Sequence, residues 1–371
     1  MKHPILPVVW RSRCLIVVVA MISVSVIFYS VFSENAGSHE IHKEMNSVYY
    51  WKTVLDFNSS DFEFLRQHKI GRIYLRMFDV SVDTLDKVAH AHTVPIATMK
   101  MTDNTFNKLH EAIPEMDFVP VVYITCDAIK DAGTYGTGAL ARNIVSRVRN
   151  MCSYNNLSHI GALQLDCDWT KTTERAFFDL CDSVKRQLKK EGLAWKLSST
   201  IRLHQLSQRI PPVDYGVLMV YNTGNFNDPD ADNSILSEKD VRPYLKYLDK
   251  YPLHLDVAYP TYSWQLLFRN RRFVGLLDGV AVADTTRFCR LSANRHVAKV
   301  DVPYKEITIR QGSMIRTEQS DFNTIERVRK LIERRLDGKS HSNVLYHFEL
   351  KNLSKYSDNE IRSLFSTASD K

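Results

Sequence analysis

The chain has 371 residues, 44% apolar and 25% charged, an ordinary globular composition with material for a large core. Its formal net charge is +7, but Lys2, Arg11 and Arg13 supply three of those charges ahead of an apolar run, so the remainder is only mildly basic. No Lys/Arg stripe interleaved with aromatics occurs, which argues against nucleic acid as a partner.

Residues 14–32 are 19 residues without a charge, long enough to cross a bilayer as a helix. Signal-peptide apolar regions are shorter, about 7–15 residues, and no small-x-small cleavage site follows closely. The Arg-Ser-Arg before Cys14 does not make a lipoprotein-type site. Positive charge ahead of the run places that end in the cytoplasm. The expectation is a cytoplasmic tail over 1–13, an uncleaved transmembrane signal anchor over 14–32, a polar linker over 33–46 and a folded domain over 47–371. That domain is then membrane-anchored on the extracytoplasmic side, periplasmic or extracellular. A cleaved secretory signal is the alternative, and it exports the same domain. Beyond Cys14 lie Cys126, Cys152, Cys167, Cys181 and Cys289, an odd number without close spacing. They form no disulfide framework and no zinc motif, and buried free thiols are expected.

After the linker, strand and helix patterns alternate. Strands are expected at 48–52, 72–80, 118–125, 162–169, 196–202, 216–222, 253–260 and 343–350. Most are rich in Val, Ile, Leu and Tyr, with few charges before their C-terminal ends, as strands covered on both faces read. Helical spacing occupies 60–69, 138–151, 173–190, 237–250, 323–336 and 358–365. The first opens with Ser60-Asp61-Phe62-Glu63, which reads as a capping box. Residues 95–101 form an irregular excursion between strands two and three. Residues 265–319 are too long for a loop and read as an insertion between strands seven and eight, with 297–302 and 306–314 as a hairpin. Eight strands alternating with helices predict a parallel sheet closed into a (β/α)8 TIM-type barrel.

The most informative stretch is Gly161-Ala162-Leu163-Gln164-Leu165-Asp166-Cys167-Asp168-Trp169-Thr170. Alternation puts Gln164, Asp166 and Asp168 on one face and Leu163, Leu165 and Cys167 on the other. A polar row on a buried strand is costly unless it lines a site. In such a barrel the site lies at the C-terminal strand ends. Those ends carry Trp51 and Lys52; Arg76 and Asp79; Tyr123, Thr125 and Asp127; Asp166 and Asp168; Arg202 and His204. The later strands add Tyr221 and Asn222; Tyr259, Tyr262 and Trp264; and His347 and Glu349. Carboxylates among aromatic platforms suit sugar chemistry, with acid and base for a glycosidic bond and flat faces for pyranose rings. The competing reading is structural: the aspartates paired to Arg76 or Arg202, and the aromatics packed as core. No His/Asp/Glu group has metal-ligand spacing. There is no Gly-rich phosphate loop and no Gly-x-Ser-x-Gly elbow, so neither metal nor cofactor is expected. Glycosylation sequons begin at Asn58, Asn156 and Asn352.

The stretch from Gly161 to Asp168 resembles the strand-four signature of family 18 glycoside hydrolases, the chitinases and endo-β-N-acetylglucosaminidases. Met219-Val220-Tyr221-Asn222 resembles that family's Met-x-Tyr-Asp. Val257-Ala258-Tyr259-Pro260-Thr261-Tyr262 resembles its strand-seven motif. The chain is also similar to a bacterial group of exported TIM-barrel proteins with a Tyr-x-Trp start and an Asp-Cys-Asp strand. The resemblance implies that Asp168 stands where the general acid would be and Asp166 where the assisting aspartate would be. Tyr221 stands where a tyrosine holds the substrate's N-acetyl carbonyl. The family's acid is Glu where this chain has Asp168, and its Asp after the tyrosine is Asn222 here. Gly161 and Gln164 replace its two earlier acidic positions. Two functions follow. One is a membrane-anchored glycoside hydrolase-like protein acting on an envelope or extracellular glycan, with Asp166 and Asp168 catalytic. In that reading Trp51, Arg76, Asp79, Arg202, Tyr221, Asn222, Tyr259, Tyr262, Trp264 and Glu349 bind the carbohydrate. The alternative is a catalytically inactive carbohydrate-binding barrel that keeps the cleft without turnover.

Overall fold

The computed structural model describes residues 44–83, 93–102 and 105–367. The segment expected to cross a membrane, 14–32, lies outside the described residues. Among those described, no helix is long and apolar enough to cross one.

Eight strands form the barrel: β1 Asn46–Tyr50, β2 Ile70–Val82, β3 Asp117–Ile124, β4 Ala162–Asp166, β5 Lys196–Arg202, β6 Tyr215–Met219, β7 Leu255–Pro260 and β8 Asn343–Tyr346. Each pairs in parallel with its sequence neighbour from β2 through β8. β1 pairs in parallel with both β8 and β2, which closes the sheet. Closure removes both edges, so no main strand leaves its backbone unpaired. The segment Thr93–Ile96 lies antiparallel on the end of β2, as an excursion outside the ring.

The alternation read from the sequence sorts two cores. Tyr49, Tyr74, Val121, Tyr215, Val217, Met219, Tyr221 and Ala258 pack inside the barrel. Leu163, Leu165, Cys167, Leu197, Ile201, Leu218 and Val257 face outward and pack with the helix residues. Those helices are α1 Ser59–Gln67, α2 Thr105–Ala112, α3 Cys126–Tyr135, α4 Thr137–Tyr154, α5 Glu174–Lys190, α6 Phe322–Leu336 and α7 Asp358–Phe365. α4 buries Leu140, Ala141, Ile144, Val145, Val148 and Cys152, spaced three and four apart as one face requires.

Local chemistry shifts some expected boundaries. α1 is capped two residues earlier than Ser60 and Glu63 suggest. Asn58 accepts from the Ser60 and Asp61 amides, and Asp61 returns a bond to the Asn58 amide. The helix expected over 237–250 breaks into short turns, Glu238–Val241, Arg242–Tyr244 and Leu245–Leu248. Pro243 at the junction cannot donate a backbone hydrogen bond, which accounts for the break. β8 ends at Tyr346 rather than 350, because the chain turns into the helix Leu350–Leu353.

The insertion is real and antiparallel. Its five strands are ordered Arg272–Leu277, Ser263–Arg269, Met314–Gln319, Arg295–Ala298 and Phe288–Arg290. As expected, 297–302 and 306–314 run antiparallel in one register, with Val297 opposite Met314 at the base and Val302–Tyr304 opposite Ile307–Ile309 at the tip. The described cysteines, Cys126, Cys152, Cys167, Cys181 and Cys289, are free.

The two-face packing makes a measurable claim. Leu165 is fully buried on the outer face of β4. Leu165→Ala is expected to lower unfolding free energy by about 2–5 kcal/mol in urea titrations, through lost transfer energy plus a cavity.

Candidate functional site

The pairing of β4 with β5 decides what meets at the barrel mouth. Leu165 lies opposite Ser199. The next inward residues, Asp166 on β4 and Thr200 on β5, therefore sit side by side. The Thr200 hydroxyl donates to Asp166 Oδ1 at 2.6 Å. Two residues further up the same face comes Arg202. Its Nη2 donates to Asp166 Oδ1 at 3.1 Å, and its Nε forms a short charge-assisted bond to Asp168 Oδ1. Asp166 is 2% exposed, whereas the Asp168 side chain is 47% exposed and lies just past the strand end. One guanidinium thus joins a sunken carboxylate to one that faces solvent.

The electrostatics follow from that arrangement. Burial raises the Asp166 pKa, the charge of Arg202 opposes it, and neighbouring Asp168 and Asp79 push it further up. Burial works against the Arg202 charge, but Asp166, Tyr221 and Asp168 outweigh it and hold the guanidinium more firmly protonated. Tyr123, beside the pair, is pushed up to about 12 by burial and by both aspartates.

Below this triad lies a polar floor. Tyr49 donates to Gln164 at 2.7 Å, Gln164 donates to Ser198 at 3.1 Å, and Tyr49 stacks on Tyr74 with centroids 4.7 Å apart. Gln164 is fully buried and satisfied. Around and above it runs an aromatic wall. Tyr221 stacks on Tyr346 at 4.2 Å, and Arg202 lies 5.7 Å from the Tyr221 ring centre. Trp51 sits 5.6 Å from Tyr346 and beneath Arg76, which forks onto Asp79. Tyr262 stands edge-on to both Tyr221 and Tyr346 and donates to Asn222 Oδ1 at 2.6 Å. Trp264 packs edge-on against Tyr262 at 5.5 Å. Asn222 has φ 52°, a left-handed conformation that Asn tolerates.

Asp166, Asp168, Arg202, Tyr221, Asn222, Tyr262, Trp264, Trp51, Arg76 and Asp79 are therefore connected around one mouth. Two expected residues are elsewhere. Tyr259 lies on the outer face of β7, fully buried in the helix-side core, where charges of Glu333, Arg329 and Glu326 reach it. Strand alternation places Tyr259 opposite in sense to Ala258, which faces inward. Glu349 pairs with Lys52 at 2.9 Å and accepts from Asn352 at 2.8 Å, and neither partner belongs to the aspartate network.

Three contributors had no sequence signal. Gln205 accepts from the Arg202 amide at 2.7 Å and donates to the Trp169 carbonyl at 2.9 Å, tying the ends of β5 and β4 together. Glu318 accepts from Trp264 Nε1 and from Ser234 Oγ, each at 2.6 Å. Arg316, fully buried beside it, pairs with Glu318 at 2.6 Å and donates to the Asp228 carbonyl. This ion pair fastens the insertion to the loop after β6 and fixes the Trp264 indole. Among the described residues, no group of His, Cys, Asp and Glu is placed to hold a metal ion.

No family model and no curated protein matches the sequence. Solved structures do match. A chitinase from Chromobacterium violaceum aligns with 87% of this chain and 98% of its own, at 11% identity and TM-score 0.53. The fold is a chitinase-type barrel. The spore cortex-lytic enzyme SleL of Bacillus cereus aligns with 88% of this chain and 75% of its own, at 13% identity and TM-score 0.50. A glycoside hydrolase family 18 N-acetylglucosaminidase from Paenibacillus barengoltzii aligns with 87% of this chain and 99% of its own, at 10% identity and TM-score 0.48. At these identities the likeness is one of architecture, and the antiparallel insertion sheet is described from this chain itself.

The triad predicts a pH-dependent defect. Arg202→Gln leaves the buried Asp166 without its cation, so burial raises its pKa against the Thr200 hydrogen bond alone. Between the unfolded value of about 3.9 and the raised folded value, the native state binds the extra proton. Stability of the variant therefore falls as pH rises through that window. The loss relative to wild type is expected to be small near the bottom of the window and about 3–5 kcal/mol at neutral pH. Asp166→Asn in the same chain should remove the pH dependence, as read by urea melts across pH.

Proposed function

We propose that this chain is a carbohydrate-binding barrel, with the sugar lying across the mouth on Tyr262 and Trp264 above the Asp166–Arg202–Asp168 triad. The observation that carries the reading is the grip of Arg202 on both aspartates. A general acid must hold a proton that it can hand to the glycosidic oxygen. Here each aspartate already spends an oxygen on Arg202, and Asp166 accepts from Thr200 as well. In this resting arrangement the pair is turned to its own cation, and the remaining acceptor capacity suits hydroxyl or amide donors of a ligand. The likeness to a chitinase and to a spore cortex-lytic enzyme puts N-acetylated glycans first among ligands to try.

Hydrolysis is the second reading, and one observation favours it. Asp168 is half-exposed, while burial raises the proton affinity of Asp166. A sugar that draws Asp168 off Arg202 would free it to take a proton from solvent and pass it to the glycosidic oxygen, with Asp166 as the carboxylate that orients an acetamido group beside Tyr221.

A panel of chitooligosaccharides and peptidoglycan fragments, assayed for binding and for new reducing ends, separates the two. Wild type is expected to bind without turnover. Trp264→Ala or Tyr262→Ala should weaken binding by about tenfold, roughly 1.4 kcal/mol, and Asp168→Asn should change it little. Turnover by wild type that falls by roughly 10²–10⁴-fold in Asp168→Asn would establish the hydrolase instead. Absence of any binding would overturn both.

The exported, membrane-held location is part of the same proposal. It is supported by the uncharged run over 14–32 behind Arg11 and Arg13. Mass spectrometry of the protein from a carbonate-washed membrane fraction is expected to recover peptides from 14–32. A mature N-terminus near Ser33 would assign a cleaved signal.

A further inference from the structure

The buried and half-buried arginines of this chain share a rule, and one of them breaks it. Arg72 pairs with Asp117, Arg76 with Asp79, Arg202 with Asp166 and Asp168, Arg316 with Glu318, and Arg329 with Glu326 and Glu333. Each guanidinium that leaves water has a carboxylate, as desolvation demands. Arg147, in the middle of α4, is half-buried and has no carboxylate partner among the described residues. Its Nη2 donates to the Thr98 hydroxyl at 2.9 Å, and its Cζ lies 5.1 Å from the Phe78 ring centre. Its Nε is shut off from solvent with no hydrogen-bond partner. An unmet donor on a charged group is more costly than a neutral one.

This guanidinium lines a groove of about 690 Å³ on the flank of the barrel, between α4 and the excursion after β2. The volume lies within the range of small-molecule sites. Asn143, Arg147, Asn150 and Tyr154 follow one another at spacings of three and four, so they share one stripe of α4 beside its buried face. Asn143 and Asn150 are exposed, and their amides offer paired donors and acceptors that fit neighbouring sugar hydroxyls. Tyr154 is 85% exposed, an open ring at the end of the stripe. Half-buried Met101, beside the buried Met99, lines the opposite wall with apolar atoms. Among the described residues, a cation without a counter-ion, two amides without hydrogen-bond partners and an open aromatic ring make a complementary set. Its partner is an anion that also carries hydroxyls and a flat apolar face.

We propose that this groove is a second carbohydrate-binding site, separate from the mouth, for an acidic sugar whose carboxylate or sulfate pairs with Arg147. The proposal stands on the flank groove alone and does not depend on what the mouth binds.

The full-length protein tests it by titration calorimetry at low salt. The probes are a galacturonic acid trimer for the carboxylate arm and a sulfated chondroitin disaccharide for the sulfate arm, with cellotriose as neutral control. One acidic probe is expected to bind and cellotriose to bind at least tenfold more weakly, with affinity falling as salt rises. Arg147→Met keeps the packing on Phe78 and should weaken acidic binding at least tenfold. Asn150→Asp, one turn away, supplies an internal carboxylate and should do the same in a chain whose melting temperature is unchanged. Tyr154→Ala should weaken binding severalfold. Asp168→Asn at the mouth should leave flank binding intact. If that variant abolishes acidic binding while Arg147→Met and Asn150→Asp spare it, the ligand sits at the mouth and the proposal fails. It also fails if neither acidic probe binds at millimolar concentration, or if both α4 variants bind like wild type.

Discussion

A carboxylate in the wall of a closed barrel has no water to hold its charge, and Asp166 is such a group. Its desolvation costs several kcal/mol unless a cation and further donors meet it. Arg202 and Thr200 do so because the β4–β5 register sets two inward residues of β5 beside Asp166 and above it. The rest of the mouth follows from keeping that guanidinium in place. Gln205 clamps the Arg202 amide, the Tyr221 ring lies under the guanidinium, and Tyr346 backs Tyr221. The Asp168 side chain is held past the end of its strand by the same arginine.

The insertion is held by the same logic in a drier setting. Arg316 and Glu318 are both fully buried, and such a pair is rarely a net source of stability. What it supplies here is position. Glu318 receives Trp264 from the first strand of the insertion and Ser234 from the loop after β6, while Arg316 binds that loop's carbonyls. Trp264 is thereby tied to the mouth rather than left to drift with an added domain.

Much of this was legible in the chain. Period-two alternation on Gln164, Asp166 and Asp168 marked the inward face, and the spacing on α4 and α5 marked helices that cover the barrel. What was not legible were pairings between distant strands. Arg202 was read as a sugar contact or, with Arg76, as a partner of the aspartates, and nothing in 34 residues of separation from Asp168 reveals the register that selects it. Gln205 and Glu318 look like any other polar residues until the backbone brings them to Trp169 and Trp264. Tyr259 was misplaced for a local reason. In Val-Ala-Tyr-Pro-Thr-Tyr the two tyrosines are three apart, an odd step that cannot keep both on one strand face. Glu349 was counted as a strand end, but the chain had already turned toward a helix after Tyr346.

The contrast between two arginines carries the last step. At the mouth, Arg202 is saturated by two carboxylates, a tyrosine ring and a backbone clamp. A neutral glycan can settle over it without breaking an ion pair. An anionic sugar would have to compete with Asp166 and Asp168 for the same guanidinium and would meet their repulsion at close range. On the flank the balance is reversed. Among the described residues Arg147 carries its charge with one hydroxyl and one aromatic face for company, so an anion there would gain a charge-assisted bond without displacing one of these ion pairs. On the proposed reading one barrel carries two surfaces of opposite preference, and the discriminating variable is whether the protein has already supplied the counter-ion.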